Sequence, residues 1–214
     1  MPRALRINVK DLIYHVFARG NNRDPIFFDS SDFERFLTNL ERYREKFNFT
    51  LYAYCLLPNH FHLLIRSGKI PLSQIMQALL TAYTMYMNKK YHRVGHIFQG
   101  RFKSIVVEKD SYLLQVLRYI HLNPVKAGTV ETAEEYPWSS YLKYLTVGGK
   151  PQLEIREILA MFSEDSVKQK QLFVEFTSEG LGVDFEPERE QMRGILGNAD
   201  FVALLTRRLK GVRP

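Results

Sequence analysis

Residues 49–66 read FTLYAYCLLPNHFHLLIR. Two runs rich in aromatic and large apolar residues flank Pro58-Asn59, a turn-favouring dipeptide. The stretch therefore reads as two strands, 49–57 and 60–66, folded back as an antiparallel hairpin. In the second strand His60 and His62 are two apart, so both imidazoles leave one face of the pleat while Phe61, Leu63 and Ile65 leave the other. Such a pair can chelate one metal ion, and it can equally be a pair of half-buried strand histidines satisfied by hydrogen bonds. Spacing alone leaves both readings open.

Working outward from the hairpin, KDLIYHVFAR (10–19) alternates as a strand and stops at the turn signal GNN. From Ser30, with Ser30 and Ser31 as N-cap candidates, Phe33, Phe36, Leu37, Leu40 and Tyr43 recur three or four apart, which predicts an amphipathic helix to about Lys46. Downstream, Pro71 opens a second helix whose stripe Leu72, Ile75, Met76, Leu79, Leu80, Tyr83 and Met87 runs to about Tyr91. SIVVE (104–108) is a fourth strand, and Asp110 or Ser111 starts a third helix that Pro124 is expected to end. The order βαββαβ followed by α predicts an α+β, ferredoxin-like core, a small antiparallel sheet with two helices on one face. Gly148-Gly149-Lys150-Pro151 is the linker candidate. It divides the chain into a domain over 1–149 and a helical C-terminal appendage over 150–214, with helices expected across 152–179 and 186–212.

At 214 residues, 45% hydrophobic and 25% charged, the composition is that of a globular protein and excludes disorder and fibrous repeats. A single cysteine, Cys55, excludes an intrachain disulfide framework and reads as a buried small apolar residue. With no uncharged stretch of membrane-spanning length and no leader pattern, the expected location is the cytoplasm. The net charge is +7, and it is uneven. Residues 1–149 hold 20 Lys+Arg against 12 Asp+Glu, a net of +8, while 150–214 hold 10 against 11, a net of −1. The balance favours a polyanionic partner, although many basic proteins bind nothing in particular, and makes the first two-thirds the candidate nucleic-acid surface. Within it, KKYHRVGHIFQGRFK (89–103) carries Lys89, Lys90, Arg93, Arg101 and Lys103 without an acidic residue, interleaved with Tyr91, Phe98 and Phe102. That mixture suits single-stranded nucleic acid, where phosphates take cations and unstacked bases take aromatic faces. A solvated basic loop with its aromatics turned inward has the same sequence signature. No Walker loop, G-x-G-x-x-G or G-x-S-x-G is present.

Tyr119 and Asn123, in RYIHLNPV, are four apart and share a face of the third helix. An Asn carbonyl oxygen can complete a His-His-Asn metal site, and Tyr is a competent nucleophile beside a metal. Alternatively Tyr119 packs and Asn123 caps the helix. His15, His92, His96 and His121 are not read as ligands; His96 is a candidate DNA contact.

With these residues assembled, the chain resembles the HUH single-tyrosine transposases, and within them the REP-associated tyrosine transposases (RAYT) of bacteria. The matching pieces are YHVFARGNNRDPIFFDSSDFERFL, YCLLPNHFHLLI, GHIFQGRFKSIVVEKDSYLLQVLRYIHLNPVKAG and YPWSSY, in that order over about residues 2–145. The resemblance implies that His60 and His62 bind a divalent ion, magnesium or manganese, with Asn123 as third ligand. It implies that Tyr119 cuts single-stranded DNA at hairpins formed by palindromic repeats, leaving a 5'-phosphotyrosine link and a free 3'-hydroxyl. Arg19 and the basic loop, through Lys89, Lys90, Arg93, His96, Arg101 and Lys103, are the candidate DNA contacts. The competing readings are a domesticated hairpin-binding protein without turnover and a metal phosphodiesterase that uses water. Relatives include both monomers and dimers, and the tail, which has no matching motif, is expected to be a packing or regulatory helical appendage rather than a second DNA-binding domain.

Overall fold

Leu57 and His60 pair directly across Pro58-Asn59, so the chain reverses in the two residues the turn dipeptide provides. The computed structural model describes residues 7, 9–146 and 152–211; the expected linker at 148–151 lies outside them. Strands β1 (Ile13–Arg19), β2 (Thr50–Leu57), β3 (His60–Arg66), β4 (Lys103–Val107) and β5 (Ile195–Leu196) form one sheet in the order β2-β3-β1-β4-β5. The first four are antiparallel neighbours, and β5 runs parallel to β4. Helix α1 (Ser30–Phe47) carries the chain from β1 to β2, and α2 (Leu72–Lys90) from β3 to β4. This is the ferredoxin-like arrangement expected from the element order.

The pleat assigns the two faces. Val16, Phe61, Leu63, Ile65 and Val106 turn to α1 and α2, where they meet Phe36, Leu40, Ile75, Leu79 and Tyr83. Ile13, Leu64 and Ile105 turn to the other face, against Leu113, Val116, Leu117 and Ile120 of α3 (Lys109–Lys126). A bulge in β2 breaks strict alternation. Leu51 pairs with Ile65 but Ala53 pairs with Leu64, so Tyr52 and Ala53 both join the α3 side and Tyr54 returns to the other.

Three local expectations need correction. Helix α1 is capped by Asp29, not by Ser30 or Ser31: Asp29 accepts from the Asp32 N–H, and the Asp32 carboxylate accepts from the Asp29 N–H in return. Pro124 does not end α3. It stands in the last turn, where its missing N–H frees only one carbonyl, and the helix runs to Lys126 before Gly128 closes it at φ +65°. The tail is not two long helices. After α4 (Tyr141–Leu145) come α5 (Ile155–Leu159), α6 (Ser166–Glu179), α7 (Pro187–Glu190), β5 and α8 (Ala199–Gly211). Asp165 starts α6 afresh by accepting from the Val167 N–H at 2.9 Å. Beyond Gly194, at φ +83°, the open edge of β4 draws Ile195 and Leu196 into the sheet in preference to a helix.

The outer strands of the antiparallel four, β2 and β4, are thus covered along part of their length, which shortens the exposed ladders on which sheets aggregate. On the β2 side the Tyr54 N–H donates to Ser140 Oγ at 2.9 Å, the Ser140 N–H to Tyr54 O at 2.9 Å, and the Tyr144 hydroxyl to Tyr52 O at 2.7 Å. The tail also grips α3. Phe173 of α6 is buried 5.8 Å from the ring of His121, and Arg118 lies 4.3 Å over Phe176 while donating to its carbonyl. Gly180 packs so closely that a Cβ there would stand 2.5 Å from the Arg118 side chain and 2.8 Å from Leu122.

A buried polar knot ties α1 to α2. Asp32 is fully buried and accepts from Lys90 Nζ at 2.7 Å, Tyr91 at 2.7 Å and Tyr86 at 2.9 Å. Burial pushes its carboxyl up, but Lys90, the Phe28 N–H and the two tyrosines outweigh it and hold the pKa below the usual carboxylate value. Asp32→Ala removes the shared acceptor and is expected to cost about 3 kcal/mol in urea unfolding, because several donors lose their partner inside the protein; an unchanged midpoint would show that solvent already serves them.

His121 gives a second expectation. Its Nε2 lies 2.8 Å from Ser140 Oγ, and burial lowers its pKa from 6.5 to about 3. The unfolded chain therefore takes up a proton that the folded chain refuses. Stability present above about pH 6.5 is lost as pH falls toward 3, at about 1.4 kcal/mol per pH unit from this one group. His121→Gln is expected to flatten the acid limb of the stability profile by that slope.

Candidate active site

The antiparallel pairing of β1 with β3 sets Phe17 opposite His62 and Arg19 opposite His60, while β4 sets Lys103 opposite Phe17. These positions share the face covered by α3, which adds Tyr119 and Asn123 from one helical row. The result is a cavity of about 600 Å³ whose lining includes Arg19, His60, His62, Arg101, Lys103, Tyr119 and Asn123. Gly20 lets the chain turn at its rim: a Cβ there would meet Asp24 O at 2.0 Å. The Gly20 N–H donates to Asn59 O at 2.8 Å and ties the end of β1 to the hairpin turn.

The rings of His60 and His62 are 5.1 Å apart and nearly perpendicular. In each, Nδ1 already has a protein partner: His60 with Asn59 Oδ1 at 2.6 Å, His62 with His15 Nε2 at 2.9 Å. Burial lowers the pKa of both. Asn123 pulls the other way at His60 and Arg19 adds to the lowering, whereas His15 and His60 reinforce the effect at His62. The two imidazoles are therefore neutral at pH 7, as metal ligands must be. Asn123 Nδ2 donates to Tyr119 O at 3.0 Å, which leaves its Oδ1 for another partner. Two imidazole nitrogens with occupied outer nitrogens and one anchored amide oxygen make a donor set that fits a divalent ion. Among the described residues there is no group of three or more His, Cys, Asp or Glu placed to hold a metal, so the set carries no negative charge of its own.

Tyr119 is half-buried, its ring edge-on to His62 at 5.7 Å, His15 at 5.8 Å and Phe185 at 6.3 Å. Burial pushes its hydroxyl up to about 12; the Asn123 amide opposes this, and Glu188 and Glu186 add to it. The phenol is protonated at rest. Glu188, from α7, lines the same cavity, its carboxyl raised by partial desolvation against the pull of Lys103 and Arg19.

Of the expected DNA contacts, Arg19, Arg101 and Lys103 reach the cavity and four do not. Lys90 is held by Asp29 and Asp32, each at 2.7 Å, because the N-terminus of α1 faces the end of α2. Arg93 sits over Phe28 at 6.0 Å, Lys89 is exposed at the end of α2, and His96 lines a separate groove beside Met76 and Phe98. Sequence reasoning missed Phe17, Arg23, Asn59, Gln99, His15 and Glu188. The first and His15 had a signal, since both share strand parity with Arg19 on the strand next to the histidine pair. Glu188 had none, because its segment has no pattern that docks it here.

Comparisons with known proteins agree with this geometry. The family described as transposase IS200 like matches residues 8–123, a span that holds all four antiparallel strands together with Tyr119 and Asn123. A Haemophilus influenzae protein named as a REP-associated tyrosine transposase is 31% identical over 133 residues, covering 52% of this chain and 74% of the relative. A solved structure of a REP-associated tyrosine transposase bound to a REP hairpin shares the fold at a TM-score of 0.59 and 17% identity, covering 72% of this chain and 96% of that one. A match across more than half its length, centred on the cavity just described, means that this chain belongs to the IS200-like transposase family.

Proposed function

We propose that this protein cuts and rejoins single-stranded DNA at hairpins formed by palindromic repeats, with Tyr119 as nucleophile and His60, His62 and Asn123 holding a divalent cation, Mg2+ or Mn2+. The observation that carries the reading is the convergence of Tyr119, the neutral histidine pair and the anchored Asn123 in one cavity walled by Arg19, Arg101 and Lys103. The hairpin in the complex of the structural relative, and the name of the Haemophilus influenzae relative, support the substrate class.

The chemistry follows from these residues. Arg19, Arg101 and Lys103 hold the backbone phosphates and orient one phosphorus toward Tyr119. Tyr119 Oη gives its proton to solvent and attacks that phosphorus; the Tyr–O–P bond forms as the bond to the 3'-oxygen breaks, and the departing 3'-oxygen takes a proton from solvent and leaves as a 3'-hydroxyl. The phosphotyrosine retains the energy of the broken linkage, so attack by a 3'-hydroxyl reverses the step without a nucleotide triphosphate. The cation, when bound, supplies Lewis-acid stabilisation of the charge that builds on the phosphate oxygens. Because the tyrosine, the histidines and the asparagine come from one chain, a single copy holds a whole site. No helix among the described residues is long and apolar enough to cross a membrane, and the bacterial cytoplasm is where we place the activity.

Tyr119→Phe is expected to abolish the denaturation-resistant protein–DNA adduct formed on end-labelled hairpins with Mn2+, while hairpin affinity stays within about twofold, since the ring and its contacts remain. Cleavage by both proteins would replace the tyrosine by water, and tight binding without cleavage by either would make the protein a binder. Arg101→Ala and Lys103→Ala are each expected to lower the slope of log affinity against log salt by roughly 0.7, the value for one phosphate contact on a single strand. Unchanged slopes would remove these residues from the DNA path.

A further inference from the structure

We propose that His15 is a positioning residue for the cation site: it accepts the Nδ1–H of His62 and thereby presents the Nε2 lone pair of His62 to the cavity. This rests on the reading of His60, His62 and Asn123 as ligands.

His15 lies in the middle of β1, opposite Leu64 on one side and Ile105 on the other, and is completely buried beneath α3. Its Nε2 is 2.9 Å from His62 Nδ1, with the ring centroids 5.1 Å apart and the two ring planes only 16° from parallel, an edge-to-edge arrangement. Its other nitrogen, Nδ1, has no hydrogen-bond partner. Among the described residues His62 is thus its one hydrogen-bonding neighbour, and the remaining ring contacts are Phe17 at 5.1 Å and Tyr119 at 5.8 Å. Packing alone does not call for an imidazole here. The next inward positions on the same strand face are Ile13 and Phe17, and an apolar side chain at 15 would avoid burying a polar atom without a partner.

What an imidazole adds is an acceptor. A neutral histidine carries its proton on one nitrogen only, and the partner of that nitrogen decides which. If position 15 offered no acceptor, an Nδ1–H on His62 would be buried against apolar atoms, and the favoured tautomer would carry its proton on Nε2, where it blocks coordination. With His15 accepting, its own proton sits on the unpartnered Nδ1, a cost that a cation at His62 has to outweigh, and Nε2 of His62 is left as a lone pair. Asn59 does the same for His60 with its Oδ1 at 2.6 Å, so each histidine has a matched outer partner. The edge of Tyr119 rests on both His15 and His62, so the contact that fixes the ligand ring also fixes the wall against which the nucleophile packs.

The test uses the full chain and Mn2+ itself as the probe, counted by the electron paramagnetic resonance of the free ion. His15→Phe keeps a ring and removes the acceptor; His15→Gln returns an acceptor near the place of Nε2. The expected result is Mn2+ affinity weakened roughly 10- to 100-fold in His15→Phe, the usual effect of losing an outer partner, and restored to within a few-fold in His15→Gln. A merely structural role would weaken neither variant selectively. Mn2+ affinity in folded His15→Phe equal to that of the unaltered protein overturns the proposal. Should His15→Phe fail to fold, proton–nitrogen correlation spectra of the Mg2+-loaded unaltered protein decide: a proton on His62 Nδ1 supports the assignment and a proton on Nε2 overturns it. A His60→Ala, His62→Ala pair separates the two layers. If Mn2+ binding survives that pair, the ligand reading fails and the role of His15 falls with it; if binding needs the pair but ignores His15→Phe, only the positioning role falls.

Discussion

The pleat of β3 is the constraint from which the rest of the molecule takes its shape. Seven residues, His60–Arg66, alternate between a face that must be dry and a face that must hold chemistry, and the antiparallel ladders on both sides extend the same division to β1 and β2. Phe61, Leu63 and Ile65 close the core under α1 and α2, and that packing holds β3 in register. A slip by one residue would carry the histidines into this core and Phe61, Leu63 and Ile65 onto the opposite face. Hydrophobic burial on one side of the sheet is thus what positions polar groups on the other.

The second side is built differently. A cavity and a core must share one face, and α3 serves both: Leu113, Val116, Leu117 and Ile120 pack, while Tyr119 and Asn123 look toward the histidines. A helix so divided has fewer apolar contacts with the sheet than one buried along its whole length. The remaining grip comes from residues after 152. Phe173, the Arg118–Phe176 contact and the close approach of Gly180 clamp the outer surface of α3, and β5 closes the sheet edge beside it. The tail therefore helps hold α3 by packing against its outer surface.

The parts of the fold legible in the sequence are those written in periodicity. Strand alternation placed His60 and His62 on one face, and helical spacing put Tyr119 and Asn123 on another, because each pattern is local. Arg19 entered only as a candidate DNA contact at the end of the first strand, and it is the pairing of β1 with β3 that sets it opposite His60. What local pattern does not carry is pairing between distant groups. Lys90 reads as a free cation in a basic run, yet the end of α2 meets the N-terminus of α1 and Asp29 and Asp32 take it. His15 reads as one histidine among six, and its role depends on a partner 47 residues away. Glu188 lies further still from the site in sequence, and only the folded tail brings it in.

The charges of the site complete the picture. On the proposed reading, two neutral imidazoles and an amide oxygen bring no charge of their own to a bound dication. A DNA phosphate would add balancing charge, and Arg19, Arg101 and Lys103 line the cavity that would receive it. Cation and DNA would then strengthen each other's binding, by an equal factor in each direction. Glu188 stands in the same cavity facing Arg19 and Lys103, so an incoming phosphate meets cations that already have a carboxylate beside them. Only a strand that satisfies the arginines and lysine better than Glu188 does, and that supplies the charge the neutral ligands lack, gains from both terms at once. A hairpin that fixes the phosphate in place meets that condition more readily than an unstructured strand, because less of its binding energy goes into ordering the backbone.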